Sequence, residues 1–125
     1  MQFDKIDPVL ERMLDVTAQR QKVLSSNIAN IDTPGYKAKD VAFQQELSAS
    51  LQLVTTHPSH RTVMSTASPA VVEVEGKTNA NGNSVDLDHE VAAMTRNGLM
   101  YVMLVQSLNS AIKSLRYSIS EGTKG

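Results

Sequence analysis

The chain has 125 residues, the length of one domain, and its formal net charge of −1 argues against bulk attraction to nucleic acid or anionic lipid. Cysteine is absent, which excludes disulfides and thiolate metal sites. Aromatic residues make up only 4% of the chain, which is little for a self-contained core. No basic region followed by an apolar run opens the sequence, and no apolar run approaches the ~20 residues that span a bilayer, so we expect neither a cleaved signal peptide nor a membrane helix.

The first predicted helix covers residues 8–32, with Asp7 as its cap and Pro8 at its first helical position. Apolar residues recur at spacings of three and four, and an adjoining apolar stripe widens this face. Polar residues break the face between Thr17 and Lys22, which predicts weaker packing than in the last helix. The packing positions that we assign to this helix are Leu10, Leu14, Val16, Leu24 and Ile28.

Two asparagines, Asn27 and Asn30, lie three residues apart near the end of this helix and share one face. Buried amides between apolar neighbours specify the register of paired helices. Asn30 is also placed to cap the end of the helix before the turn at Pro34-Gly35, and the sequence leaves both interpretations open. Pro34 lacks an amide and disfavours a helical residue before it, while Gly35 suits the position of a type II turn that needs positive φ.

The middle of the chain, residues 33–85, is predicted to be rich in loops. Asp40 is expected to cap a short helix, and residues 71–75 alternate like a strand, which suggests a small β-hairpin. The segment from His57 to Asn83 is otherwise dominated by Ser, Thr, Asn, Pro and Gly.

The last predicted helix, residues 86–121, has the longest apolar pattern in the chain. Asp86 or Asp88 is expected to cap it, and Gly122 to end it. The stretch 99–105 is apolar on every side, as in buried helices, yet little else in the chain can cover it, so we expect other copies or other chains to do so. A coiled-coil spacing of three and four selects Leu87, Val91, Met94, Gly98, Tyr101, Val105, Leu108, Ile112, Leu115 and Ile119, which we call the apolar stripe of the last helix.

These elements predict an all-α fold in one rod-type domain. The long N- and C-terminal helices pair as a coiled coil or helical hairpin, and the loop-rich middle holds the short helix and the small hairpin.

Three polar groups superficially resemble functional sites. His57-Pro58-Ser59-His60 lacks the carboxylate or cysteine that would complete a metal shell, and residues 79–90 have Ser84 where a calcium loop requires glycine. The acids around Glu90 stand at a helix N-terminus, where negative charge is favoured without catalysis. We therefore predict no catalytic, cofactor or metal site, no small-molecule substrate and no nucleic-acid partner.

One motif is far more specific than these. Residues 26–37, Ser-Asn-Ile-Ala-Asn-Ile-Asp-Thr-Pro-Gly-Tyr-Lys, resemble the N-terminal signature of the bacterial flagellar rod, hook and hook-associated proteins. The signature places Asn27, Asn30, Pro34, Gly35 and Tyr36 among the residues that matter for assembly. The resemblance extends over nearly the whole chain, and the short length together with the entry Gly-Asn-Ser-Val-Asp-Leu-Asp-His-Glu at residues 82–90 points to the proximal rod.

The resemblance implies a structural role without enzymatic activity. The terminal helices would form the inner core of a tubular drive shaft that transmits torque in the flagellar basal body, where the rod crosses the periplasm. Implied partners are further copies, other rod proteins, the membrane-ring and adaptor proteins of the basal body, and the flagellar type III export apparatus. The alternative is a self-contained cytoplasmic helical adaptor or export chaperone, and a metal-dependent enzyme is a third class.

Overall fold

A computed structural model describes residues 8–55 and 68–123. The predicted His57–His60 group lies outside these residues. The fold is mostly helical, with long helices at both ends and a two-stranded sheet in the middle, which confirms the predicted fold class. The elements in chain order are α1 (Pro8–Ala29), β1 (Lys39–Val41), α2 (Phe43–Thr55), β2 (Val71–Glu73) and α3 (Leu87–Gly122).

The two terminal helices pack against each other in antiparallel orientation. Asn27, near the end of α1, bonds Glu90 at the start of α3, whereas Thr17, further back in α1, accepts a hydrogen bond from Asn97, further along α3. The predicted pairing of the terminal helices is therefore confirmed. No helix within the two described ranges is both long and apolar enough to cross a bilayer.

The start of α3 follows the capping chemistry that the sequence predicts. One carboxylate oxygen of Asp86 accepts the amides of Asp88 at 3.1 Å and His89 at 3.3 Å, which satisfies two donors that the first turn leaves free. At its other end, α1 stops at Ala29 and not at residue 32, and the amide of Asn30 still bonds the carbonyl of Ser26. A side-chain amide bond from Asn30 to the same carbonyl, 2.8 Å, closes this last turn.

The small sheet joins segments that are distant in sequence. β2 lies within the predicted strand-like stretch, and its partner is β1, with Asp40 opposite Val72 in antiparallel register. The two strands are separated by the whole of α2, so the pair is not closed by a tight turn. Asp40 belongs to β1 and does not cap α2, because its carboxylate is held by Arg20 of α1 at 2.8 Å.

The core lies between α1, the sheet and the first half of α3. Its apolar members are Met13, Val16, Leu24, Ala38, Val41, Val85 and Ala93. Nearly as many polar or charged side chains are buried beside them: Arg12, Thr17, Asn27, Asn83, Glu90 and Asn97. A core of small apolar residues with this many polar ones is consistent with the low aromatic content.

Candidate assembly surface

A polar junction fixes the end of the helix pair where α1 meets the start of α3. Asn27 is fully buried, and its amide nitrogen donates to the carbonyl of Lys39 at 2.7 Å and to Glu90 Oε2 at 3.0 Å. Its oxygen accepts the amide of Lys39 at 3.0 Å and the hydroxyl of Tyr36 at 3.3 Å. One side chain thus pairs with β1 as a neighbouring strand would, and ties α1, β1 and α3 together.

Asn83 binds the backbone that follows α1, at the same end of the molecule. Its amide nitrogen donates to the carbonyls of Asn30, Ile31 and Thr33 at 2.8–3.0 Å, which lie at and beyond the end of α1. Its side-chain oxygen accepts the amide of Val85 at 2.8 Å. A residue just before α3 therefore closes the end of the other terminal helix and gives the carbonyl of Ile31 a donor, while the carbonyls of Asn30 and Thr33 also accept the backbone amides of Thr33 and Tyr36.

The Pro34-Gly35 turn packs against a second turn at Gly82. Both glycines have positive φ, 73° and 80°, which other residues rarely adopt. The amide of Gly35 bonds the carbonyl of Asn81 at 2.9 Å, and a Cβ added to Gly82 would lie 3.4 Å from the Cα of Gly35. Pro34 and Gly35 are themselves exposed, so the signature turn is available at the surface.

Two ion pairs attach the middle segment to α1. Arg20 binds Asp40 of β1 with two hydrogen bonds of 2.8 Å, and its guanidinium lies 5.8 Å from the centre of the Phe43 ring. Arg12 donates to Glu46 of α2 at 2.6 and 3.2 Å. Arg20, which lies between Thr17 and Lys22 where polar residues break the apolar face of α1, therefore holds β1 against this helix.

The predicted packing positions of α1 and of the turn differ in how deeply they are buried. Val16, Leu24 and Asn27 are fully enclosed, so the buried side of α1 takes residues from both the first stripe and the adjoining one. A partly exposed group remains beside them, consisting of Leu10, Leu14, Ile28, Asn30 and Tyr36.

The predicted apolar stripe of α3 lies beside the side chains that this helix buries fully, and it is only partly covered. The side chains that are buried on this helix are Glu90, Ala93 and Asn97, about one residue position away from the stripe. Within the stripe, the exposed residues are Leu87, Val91, Tyr101 and Ile119, and the half-buried residues are Met94, Gly98, Val105, Leu108, Ile112 and Leu115. The far side of α3 is also apolar and open, with Leu99 62% and Met103 64% exposed.

The register of the two helices leaves the end of α3 without α1 beside it. Extending the contacts Asn27–Glu90 and Thr17–Asn97 along both helices places Pro8 next to about residue 109 of α3. From there to Gly122, about 20 Å of helix extends past the described start of α1. Tyr117 and Ile119 on this segment are 66% and 56% exposed. We call residues 109–122 the overhang.

Exposed apolar side chains thus recur along α3: in the stripe at Leu87, Val91 and Tyr101, on the far side at Leu99 and Met103, and in the overhang at Tyr117 and Ile119. Apolar side chains that cluster on a surface in this way mark protein–protein contacts. Within residues 8–55 and 68–123, no group of three or more His, Asp and Glu side chains is arranged to hold a metal ion.

Hydrophobic periodicity did not predict the burial of three residues that hold α1 and the start of α3 together. Glu90, Asn97 and Asn83 are polar, so a reading of apolar spacing places them outside the core, although all three are buried. Asn83 had one usable signal: it follows Gly82 in a turn just before the capped start of α3.

Comparisons with known proteins agree with this architecture. A family model described as flagella basal body rod protein matches residues 14–37, which include most of α1 and the Pro34-Gly35 turn. The chain is 38% identical over 118 residues to the flagellar basal body rod protein FlgB of Bacillus subtilis strain 168, covering 90% of this chain and 92% of that protein. It is 33% identical to FlgB of Escherichia coli strain K12 over 136 aligned positions, covering 96% and 99%. FlgB of Borreliella burgdorferi is also 33% identical, over 127 positions.

Proposed function

The chain belongs to the FlgB family of flagellar basal body rod proteins, and we propose that it forms part of the proximal rod, the inner section of a tubular drive shaft that transmits torque. Its role as a structural component of the basal body rod follows from the family. The observation that carries the proposal of a place in the proximal rod is the row of exposed apolar side chains along α3, which no other described residue covers.

The mechanism that we propose is burial of this surface when neighbouring subunits arrive. Apolar area removed from water contributes roughly 25 cal/mol per Å², so a helix as long as the overhang gains substantially from being covered. That gain offsets the entropy lost when a subunit becomes fixed in place at the growing end. Helices held on several sides by apolar neighbours resist bending and twisting, which a torque-carrying shaft requires.

The partners follow from the same proposal. Other copies of the chain and other rod proteins would cover α3, and the exposed Pro34-Gly35 turn and α2 would contact subunits further out. The membrane-ring and adaptor proteins of the basal body would adjoin the proximal end, and the flagellar type III apparatus would deliver the chain. A self-contained adaptor or chaperone is not favoured, because the relatives that match over most of this chain are rod proteins.

The proposal is tested by placing a charge on the overhang. In Ile119→Asp, a carboxylate replaces a 56% exposed apolar side chain that α1 does not reach, so the isolated subunit should keep its helicity. In the assembled rod this charge would be buried without a partner, which is strongly unfavourable. We expect loss of incorporation into basal bodies and loss of swimming in a strain that lacks the native protein.

Ser114→Asp is the matched control, because it adds the same charge to the same helix about 140° away from Ile119, on the polar side with Ser110 and Ser118 that the proposal leaves in contact with water. It should swim normally. Leu108→Asp, nearer α1, should also abolish incorporation, whereas Leu24→Asp is less informative because Leu24 is only 1% exposed and its loss would unfold the subunit. Normal motility of Ile119→Asp, at normal protein levels, would overturn the proposal.

A further inference from the structure

The helix α3 has several apolar sides that compete to face α1. Between residues 99 and 105 every side chain is apolar or aromatic, so hydrophobic burial alone distinguishes poorly between rotational settings of the helix. In the structure Met100 and Leu104 are half-buried on the side of Asn97, whereas Leu99 and Met103 point outwards. The bond between Asn27 and Glu90 fixes the start of α3, and a second directional interaction is needed to select this setting further along the helix.

Asn97 supplies that interaction. It is 1% exposed, and its amide nitrogen donates to the carbonyl of Thr17 at 2.9 Å and to Gln21 Oε1 at 2.8 Å, both on α1. Thr17 is itself fully buried, and its hydroxyl donates to the carbonyl of Leu14. The three residues Thr17, Gln21 and Asn97 form a polar layer in the middle of the helix pair.

This polar layer is not the most stable choice for the position. The side-chain oxygen of Asn97 is buried and has no hydrogen-bond partner among the described residues. A buried acceptor without a donor costs free energy, and an apolar side chain of similar size would avoid that cost. Buried polar residues in paired helices are best known for selecting register and partner at some expense in stability.

We propose that Asn97 is a positioning residue that sets which face of α3 turns towards α1, and hence which apolar side chains are presented to neighbouring molecules. A rotation by one residue position, about 100°, would carry Asn97 away from Thr17 and Gln21 and expose Leu104. The two hydrogen bonds exist in one setting only. Apolar contacts then add stability to the setting that the amide has selected.

The absence of cysteine from the chain allows a direct measurement. A single cysteine is placed at Met103, which is 64% exposed, or at the half-buried Leu104, and the rate of maleimide labelling is compared. With Asn97 in place we expect Met103→Cys to react several times faster than Leu104→Cys. With Asn97→Leu the ratio should fall towards about one, while the melting temperature stays the same or rises.

Moving the amide gives the sharper test. In the pair Asn97→Leu with Gly98→Asn, the amide is displaced by about 100° around the helix, so α3 should rotate until position 98 faces Thr17 and Gln21. Leu104→Cys should then react about as fast as Met103→Cys, which stays about 140° from the side that faces α1. Asn109→Leu, which removes an exposed amide further along α3, should leave the original ratio unchanged.

An unchanged labelling ratio in Asn97→Leu, or a protected Leu104→Cys after the amide has been moved, would overturn this inference. These measurements use the isolated full-length chain and need no rod. Their failure would leave the proposed assembly role standing, because Ile119 lies beyond the reach of the polar layer.

Discussion

The removal of the Asn27 side chain should be among the most damaging single changes in this protein. In Asn27→Ala, the amide and the carbonyl of Lys39 lose their side-chain partner, and the Glu90 carboxylate, whose side chain is only 6% exposed, loses its hydrogen bond from Asn27. The contact with Glu90 is buried, and those with Lys39 are partly buried. A buried group left unpaired costs about 1–3 kcal/mol, a buried charge costs more, and a partly buried group costs less because water can reach it. The hydroxyl of Tyr36 can turn to solvent, so we leave it out of the sum.

The expected loss is therefore about 3–5 kcal/mol of unfolding free energy, a large part of the roughly 5–15 kcal/mol typical of a domain. Urea unfolding followed by circular dichroism at 222 nm would measure it, and thermal melting should show a decrease of about 10 °C or more. Asn109→Ala, an exposed amide on α3, is the control and should change stability by less than about 0.5 kcal/mol. A loss below about 1 kcal/mol for Asn27→Ala would refute the reasoning.

A charge exchange tests the geometry of the same contact. Asn27→Asp alone places a carboxylate about 3 Å from that of Glu90, because the nitrogen that it replaces lies 3.0 Å from Glu90 Oε2. Adding Glu90→Gln supplies a new donor, so the double variant should recover part of the loss. We expect a favourable coupling energy of at least about 1 kcal/mol in the double-mutant cycle. Independent, additive effects would show that the two side chains do not interact.

Two further changes separate local strain from specific contacts. Gly98→Ala should stabilise the isolated chain by about 0.5–1 kcal/mol, because Gly98 is inside a helix and nothing lies within 4 Å of an added Cβ. Gly35→Ala should instead lower the stability by about 1–2 kcal/mol, because Gly35 has a φ of 73°. Equal effects of the two substitutions in urea titrations would contradict this. Arg20→Ala should lower stability by about 1.5–3 kcal/mol through loss of the paired bonds to Asp40, and Arg20→Lys should recover less than half, because lysine cannot form the same two-bond geometry. Full recovery with lysine would mean that charge alone holds β1.

The sequence predicted the helices well because their signals are local. A spacing of three and four over more than thirty residues identifies α3, and Asp86 marks its start with the oxygen that accepts the first amides. The sequence was a poorer guide to which side of α3 faces α1. Periodicity assigns apolar residues to the contact, but the side facing α1 is centred on Glu90, Ala93 and Asn97. The hydrogen bonds of Glu90 and Asn97 reach residues more than sixty positions away.

Contacts made by the middle segment were also beyond local reasoning. β1 has only three residues, too few for a period to be recognised, and its partner lies beyond α2. The prediction that Asp40 caps α2 was wrong because a carboxylate near a helix start has two satisfactory environments, and only the tertiary position of Arg20 decides between them. The signature asparagine Asn27 was recognised as a register residue, but its pairing with the backbone of Lys39 was not.

The antiparallel arrangement of α1 and α3 has a consequence for the order of folding. The helix that is synthesised first can contact β1 and α2 early, but its main packing partner lies at the opposite end of the chain and is available only when almost the whole chain has left the ribosome. Contacts between residues far apart in sequence form slowly, because a long loop must be closed first. A protein that binds α1 during this interval would meet it without α3. The two helices could pair only after α3 is released.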